Sequence, residues 1–185
     1  MTKQLKKYLV AFLKETFGTE GIWDDSVEDT ADRWIKAIKE FKPTDMEFNE
    51  TVFPSTVNQL IVVTDIQFAS LCAHHLFPFF GSVHVGYIPN QFMIGVSKIP
   101  RIVHYHAQRP HTQETLTRDI ASHLKSLTTA HGVAVMINST HTCMVCRGVK
   151  EHNAKMVTTE MRGVFLTAEA ARAEFMSAVH QRSIE

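Results

Sequence analysis

Hydrophobic positions along the chain fall into two periods, and the change between them divides it. Leu5, Leu9, Phe12 and Leu13 recur at helical spacing from Gln4 to Thr16, and Phe17-Gly18 reads as the stop. A second helix is predicted from Asp29 or Thr30 through Phe41, with Trp34, Ile38 and Phe41 on one face and Arg33, Lys36 and Lys39 elsewhere. Lys42-Pro43 ends it, because the residue before a proline is pushed out of the helical region. The pair is too small to be stable alone and needs the rest of the chain or a neighbouring subunit to pack against.

From Glu50 the period becomes two. Leu60, Val62, Thr64, Ile66 and Phe68 alternate with a mixed set through Ser70, the pattern of a long strand with one buried face. Gly81 to Ile88 alternates Val83, Val85 and Tyr87 with small or polar partners, and a Pro89-Asn90 turn leads to Phe92–Val96, a hairpin signal. Ser97 is placed to cap a helix from Lys98 to Arg109, with Pro100 tolerated in its first turn. Gln113 to Ala130 carries the clearest helical stripe, Leu116, Ile120, Leu124 and Leu127, ended by His131-Gly132. Val133–Ile137 and Met156–Leu166 return to strand character, and Thr167 opens a last helix with Ala170, Phe175, Ala178 and Val179 toward the core. The order is two helices, then strand, strand, helix, helix, strand, strand, helix. It predicts an α+β protein with a helical hairpin over residues 1–48 and one larger domain over 49–185.

Composition narrows the function. Of 185 residues 44% are hydrophobic, ample for one core, and 19 basic side chains cancel 19 acidic ones. That balance makes no field of the kind nucleic-acid or anionic-membrane binders use, so neither partner is expected. No apolar run approaches a membrane span and Met1-Thr2-Lys3-Gln4 has no signal-peptide core, so the expected location is the cytoplasm. Three cysteines, two of them only three apart, suit reduced thiols better than a disulfide framework.

Those cysteines sit in two clusters with the same vocabulary. Leu71-Cys72-Ala73-His74-His75 places a thiol and an imidazole three apart; His141-Thr142-Cys143-Met144-Val145-Cys146-Arg147 repeats the ligand types some seventy positions later. Two distant groups of soft ligands suggest one shared metal site. Cys72, His75, Cys143 and Cys146 would close a structural zinc knot. If His141–Arg147 is extended, however, His141, Cys143 and Arg147 share one face and Cys146 turns to the other. Three ligands with an open fourth position is the catalytic arrangement, in which zinc activates water at neutral pH. His141 and His74 then become candidate proton carriers. Spacing alone leaves the structural knot and the catalytic site both open, and Cys72 and Cys143 as plain core residues is a third reading.

Ser97, Lys98 and Arg101 stand at a helix N-terminus, which offers amide donors and a positive dipole end to an anion. With Arg147, Lys36 and Arg33 they suit a polyphosphate, although each alone also reads as a solvated surface charge. Gln113-Glu114 opens the next helix, and a carboxylate beside an amide matches the N1–H and 2-amino edge of guanine.

Together Leu71–His75, Gly86-Tyr87-Ile88-Pro89, Ile94–Ile99, Arg101-Ile102-Val103, Ala107–Pro110, Gln113-Glu114 with Leu116-Thr117, and His141–Met144 with Arg147-Gly148 resemble GTP cyclohydrolase I, in order, from about Asp25 to Phe165. The resemblance implies a tunnelling fold (ββααββ, an antiparallel sheet with two long helices), a toroidal homodecamer with sites at subunit interfaces, and conversion of GTP to 7,8-dihydroneopterin triphosphate with release of formate. It implies Zn2+ on Cys72, His75 and Cys143, with His74 and His141 as acid-base groups and Ser97 as a helper. It further implies Ser97, Lys98, Arg101 and Arg147 on ribose and triphosphate, Gln113 and Glu114 on guanine, and Arg33 with Lys36 as a basic contribution from the N-terminal helices. Ala73 stands where many relatives have Glu, and Thr30-Ala31-Asp32-Arg33 lacks a proline usual after the threonine. Two alternatives remain: the nitrile reductase of queuosine synthesis, which shares the fold but uses a cysteine nucleophile and NADPH, and a non-catalytic zinc-stabilised scaffold.

Overall fold

The computed structural model of the protein describes residues 2–18, 26–42 and 51–180. The chain divides into two units, Met1–Lys42 and Pro43–Glu185. The boundary expected between residues 48 and 49 lies outside the described residues.

The first unit is a pair of helices, α1 (Thr2–Phe17) and α2 (Val27–Lys39). Helix α2 begins before the expected Asp29 because the Ser26 hydroxyl accepts the Asp29 amide at 3.1 Å, supplying the N-cap. Lys14 bridges to Glu28 at 2.8 Å and Lys6 to Asp32 at 2.5 Å. Both pairs are exposed and contribute little to stability. Leu5, Tyr8, Leu9, Trp34, Ile35 and Ile38 line an apolar groove between the helices, and the expected Phe41 lies beyond the end of α2.

The second unit contains β1 (Val52–Pro54), β2 (Ile61–Cys72), β3 (Pro78–Ile88), β4 (Phe92–Ile94), α3 (Lys98–Ala107), β5 (Pro110–His111) and α4 (Gln113–Thr128). It continues with β6 (Gly132–His141), α5 (Thr142–Val145), β7 (Met156–Gly163), α6 (Val164–Thr167) and α7 (Glu169–His180). The sheet order is β5-β2-β3-β6-β7, with β2, β3, β6 and β7 antiparallel and β5 a short parallel addition; β1 and β4 form a separate ribbon. The long elements run β2, β3, α3, α4, β6, β7, the ββααββ order expected.

Each sheet face buries its own core. Val83, Val85, Tyr87, Val133, Val135 and Ile137 pack with Ile99, Ile102, Val103, Leu116, Ile120 and Leu124 from α3 and α4. On the opposite face Ala134 and Met136 lie in a second cluster with Phe165, Phe175 and Val179. Strand β6 is therefore buried on both sides, which is why Val133–Ile137 is an unbroken apolar run rather than an alternating one. Gly86 permits the close approach of α7: a Cβ there would lie 2.6 Å from the Phe175 ring.

Two departures from the predicted strands have local causes. The register of β2 against β3 shifts between Val63 and Ile66, where Asp65 adopts a left-handed φ of 59°. This bulge swaps the faces: Ile66 and Phe68 join the core under α3 and α4 together with Ile61 and Val63, whereas Leu60 and Val62 pack on the other side. The single alternating face predicted from Leu60 to Phe68 is thus split in two. Strand β7 ends at Gly163 rather than Leu166, because Gly163 has φ +61° and a Cβ there would collide with the His131 carbonyl. The last helix consequently starts at Glu169; Phe175 and Val179 are buried, but Ala170 is exposed.

Candidate metal centre and substrate pocket

Cys72 ends β2 at a tight turn. Its amide donates to the Phe77 carbonyl at 2.9 Å and its carbonyl accepts the Leu76 amide at 2.8 Å, with Leu76 in the left-handed region at φ 54°. The Ala73 amide donates to His111 of β5 at 3.0 Å, tying the turn to the start of α4. Cys72 is buried while His74 and His75 are exposed on the turn, and His74 Nδ1 lies 3.8 Å from the Cys72 sulfur.

The second cluster is not extended. Strand β6 stops at His141, and Thr142–Val145 is a single helical turn fixed by the Thr142 hydroxyl donating to the Pro78 carbonyl at 2.6 Å. The expectation that His141, Cys143 and Arg147 share a strand face is therefore overturned. Cys146 still stands apart, for another reason: it follows the turn, is exposed, and its thiol donates back to the Thr142 carbonyl at 2.8 Å.

The ligating atoms of Cys72, His141 and Cys143 lie within 4.8 Å of one another. His75, expected as a ligand, lines the same pocket but is not among these three. The donor set suits zinc: with bonds of about 2.3 Å to sulfur and 2.0 Å to nitrogen, tetrahedral ligands stand under roughly 4 Å apart, so a small closure suffices. Burial pushes the Cys143 thiol up, and the adjacent Cys72 sulfur adds to this. A divalent cation favours the thiolate form and would oppose that upward push on Cys143.

Gln113, the first residue of α4, is 1% exposed and joins polar groups of two strands, β6 and β7. Its amide nitrogen donates to the carbonyls of Ile137 and Met156, both at 3.1 Å, and contacts the Thr158 hydroxyl at 3.0 Å. Two carbonyls cannot donate, so this end must be the NH2 group and the other end the oxygen. That oxygen accepts the Ser139 hydroxyl at 2.5 Å and meets His141 Nε2 at 2.9 Å. Nε2 of His141 therefore carries the hydrogen, and in the neutral ring Nδ1 holds the lone pair. The imidazole also stacks on Phe79, with centroids 4.6 Å apart and planes 5° apart. Burial keeps its pKa below the usual histidine range, while Glu114 acts in the opposite sense.

These groups open on a pocket of about 160 Å³, lined also by Glu114, His111 and Met156. That volume is below the roughly 300 Å³ at which small-molecule sites begin. Glu114 is exposed in the first turn of α4, behind the Thr112 cap that accepts the Thr115 amide at 3.2 Å. His111 went unpredicted: it is 7% exposed, its Nε2 has no hydrogen-bond partner among the described residues, and burial lowers its pKa. Its signal was its position next to the cap of the helix that carries Gln113 and Glu114.

Ser97, Lys98, Arg101 and Arg147, the remaining expected residues of this unit, do not line this pocket. Ser97 precedes α3 without making a side-chain cap bond; Gly95, Val96 and Ile99 line a cavity with Ile61 and Tyr87, at the opposite end of β2 from Cys72. At about 3.3 Å per residue that strand separates the two ends by roughly 35 Å. Lys98 and Arg101 share the first turn of α3, while Arg147 is exposed just after α5. Arg33 and Lys36 are exposed on α2; an Arg33 guanidinium nitrogen donates to the Thr30 hydroxyl at 3.1 Å.

The fold and the site define an α+β protein with a thiol- and imidazole-lined candidate metal centre at the ends of the interior strands β2 and β6. The profile of the GTP cyclohydrolase I family matches residues 7–180, nearly the whole chain. Among curated proteins, the chain is 46% identical over 132 residues to GTP cyclohydrolase 1 of Campylobacter jejuni, covering 71% of this chain and 70% of that protein. It is 41% identical over 167 residues to GTP cyclohydrolase 1 of a Sulfurihydrogenibium species, covering 87% and 89%. A crystal structure of the archaeosine synthase QueF-Like in its apo form matches with a TM-score of 0.46 at 18% identity, over 56% of this chain and 93% of that one. The chain belongs to the GTP cyclohydrolase I family.

Proposed function

We propose that the protein is a zinc-dependent GTP cyclohydrolase I that hydrolyses GTP at C8, releases formate and rearranges the opened ribose to 7,8-dihydroneopterin triphosphate. Within the family frame, the observation that carries this reading is the meeting of Cys72, Cys143 and His141 beside Glu114 in one pocket. When bound, zinc would supply Lewis acidity that lowers the pKa of a coordinated water to about 7.

Cys72 and Cys143 would hold the metal in either of two ligand sets. The family resemblance gives the third position to His75 and leaves His141 to carry protons; the geometry favours a second reading, in which His141 itself completes the set. Zinc content of His75→Ala and His141→Ala separates them. The chain's other groups have distinct tasks. Glu114 accepts the N1–H and 2-amino donors of guanine. His74, exposed beside the Cys72 sulfur, exchanges protons with solvent. Ser97, Lys98, Arg101 and Arg147 bind ribose and triphosphate, joined by Lys36 and Arg33.

Completion between subunits is part of the proposal. Ser97 and Cys72 lie near opposite ends of a 12-residue strand, so Ser97, Lys98 and Arg101 reach the metal pocket of another copy more readily than their own. A homodecamer with interface sites fits this arrangement. Three free cysteines suit a reducing compartment, and the cytoplasm is the proposed location. Among the described residues no helix is long and apolar enough to cross a membrane.

The test is incubation of the assembled, zinc-loaded protein with GTP, following formate and the pterin chromophore together. Equal release of both supports the assignment, and no turnover overturns it.

A further inference from the structure

We propose that Gln113 is a positioning residue for His141 and not a reader of the purine, an inference that rests on the GTP cyclohydrolase reading above. The resemblance pairs Gln113 with Glu114 on the base. The structure instead commits both ends of the Gln113 carboxamide to the protein. Its two N–H bonds face the Ile137 and Met156 carbonyls with the Thr158 hydroxyl alongside, and its oxygen takes two donors, Ser139 and His141. An amide offers two donors and two acceptor sites, so nothing remains for a base edge. To read guanine it would have to release one of these partners, leaving a buried polar group unpaired at 1% residue exposure.

The arrangement has a direction. The backbone carbonyls are fixed by β6 and β7, whose pairing sets Asn138 opposite Val157 and Ser139 opposite Met156. They orient the amide, and the amide oxygen selects the His141 tautomer with hydrogen on Nε2. Thr117 braces the same residue: its hydroxyl donates to the Gln113 backbone carbonyl at 2.7 Å and also lies 2.7 Å from the Thr158 hydroxyl. The His141 ring, stacked on Phe79, is thereby held in plane and in tautomer with its Nδ1 lone pair available. That lone pair is what either role of His141 requires, receiving a proton or completing the metal site. Base reading falls to Glu114, whose carboxylate is exposed at the pocket.

The experiment compares wild type, Gln113→Met and Glu114→Gln on GTP and on inosine triphosphate, which lacks the 2-amino group, at saturating zinc and with metal content and melting temperature measured. Wild type must first turn over GTP; if it does not, the family reading fails rather than this one. Gln113→Met is expected to lower kcat about ten- to a hundredfold while KM and the preference for GTP stay within about threefold. Glu114→Gln is expected to raise KM and blunt that preference. A Gln113→Met variant with raised KM or lost preference would make Gln113 a base reader and overturn the proposal. So would a lowered melting temperature with unchanged kcat per folded, zinc-loaded chain. Should Gln113→Met not fold, Ser139→Ala decides in the same assay, since it removes the other donor on the amide oxygen. Reduced kcat with unaltered KM and preference supports the proposal, and unchanged kcat or altered preference overturns it.

Discussion

Replacing Glu114 by Gln separates binding from folding by magnitude. Glu114 is exposed in the first turn of α4, and no hydrogen bond of its side chain is among those that hold the pocket together. Its stabilising role is its charge at the helix N-terminus, worth roughly 0.3–1 kcal/mol. Loss of that charge also removes an influence that raises the His141 pKa, leaving the imidazole more firmly neutral. Against guanine the change is larger, because Gln presents one acceptor and one donor where the base offers two donors. Losing one charge-assisted bond and weakening the other costs about 2–4 kcal/mol, or roughly 30- to 1,000-fold in kcat/KM. The assay is kcat/KM for GTP beside thermal unfolding of the same preparation. A melting temperature within a few degrees and a loss of at least thirtyfold are expected. Activity within threefold of wild type would refute the assignment of base reading to Glu114.

Further predictions follow from the same geometry. Cys143→Ala should release zinc and activity together while Cys146→Ala keeps both, measured as metal per chain after dialysis against a chelator; zinc lost from Cys146→Ala would restore the four-ligand knot. Phe175→Ala should cost about 3–5 kcal/mol in denaturant unfolding. Gly86→Ala alone should cost about 1–3 kcal/mol by forcing the Phe175 ring aside, yet be near neutral in the Phe175→Ala background; additive costs would refute that contact. His106 is pushed down to about 4 from its usual 6.5 by burial, with His123 and Arg109 adding to the effect. The unfolded chain binds a proton there that the folded one refuses, so this contribution is intact above pH 6.5 and lost as pH falls toward about 4. The full shift is at most about 3 kcal/mol, nearer 1–2 after discounting for partial exposure. His106→Gln should flatten the melting temperature over that window, and an unchanged slope would refute it.

The elements were legible because their periods are local properties. Leu116, Ile120 and Leu124 fall on one stripe whatever surrounds them, and all three are buried beneath the sheet. The β2 bulge was not legible: Asp65 at φ 59° looks like any acidic residue in a strand, and only the pairing with β3 reveals that the faces exchange there. Nor was the end of β7 legible, since the backbone that crowds Gly163 belongs to His131, 32 positions earlier.

At the site the division is similar. Residue types alone carry the ligand chemistry, thiols and imidazoles in two clusters flanking a helix that begins Gln113-Glu114, because they set which atoms can bind a soft metal or accept from a base. The preference for Cys143 over Cys146 came from the family resemblance and from a strand geometry that the helical turn at Thr142–Val145 replaces. Strand pairing and the packing of α4 bring His141 to Cys72 and Cys143, set His111 at the border of their pocket, and commit Gln113 to Ile137, Met156, Ser139 and His141. Hydrogen bonds between residues 24 to 43 positions apart leave no period in the chain, and a polar side chain's partners exist only once the strands that carry them are paired.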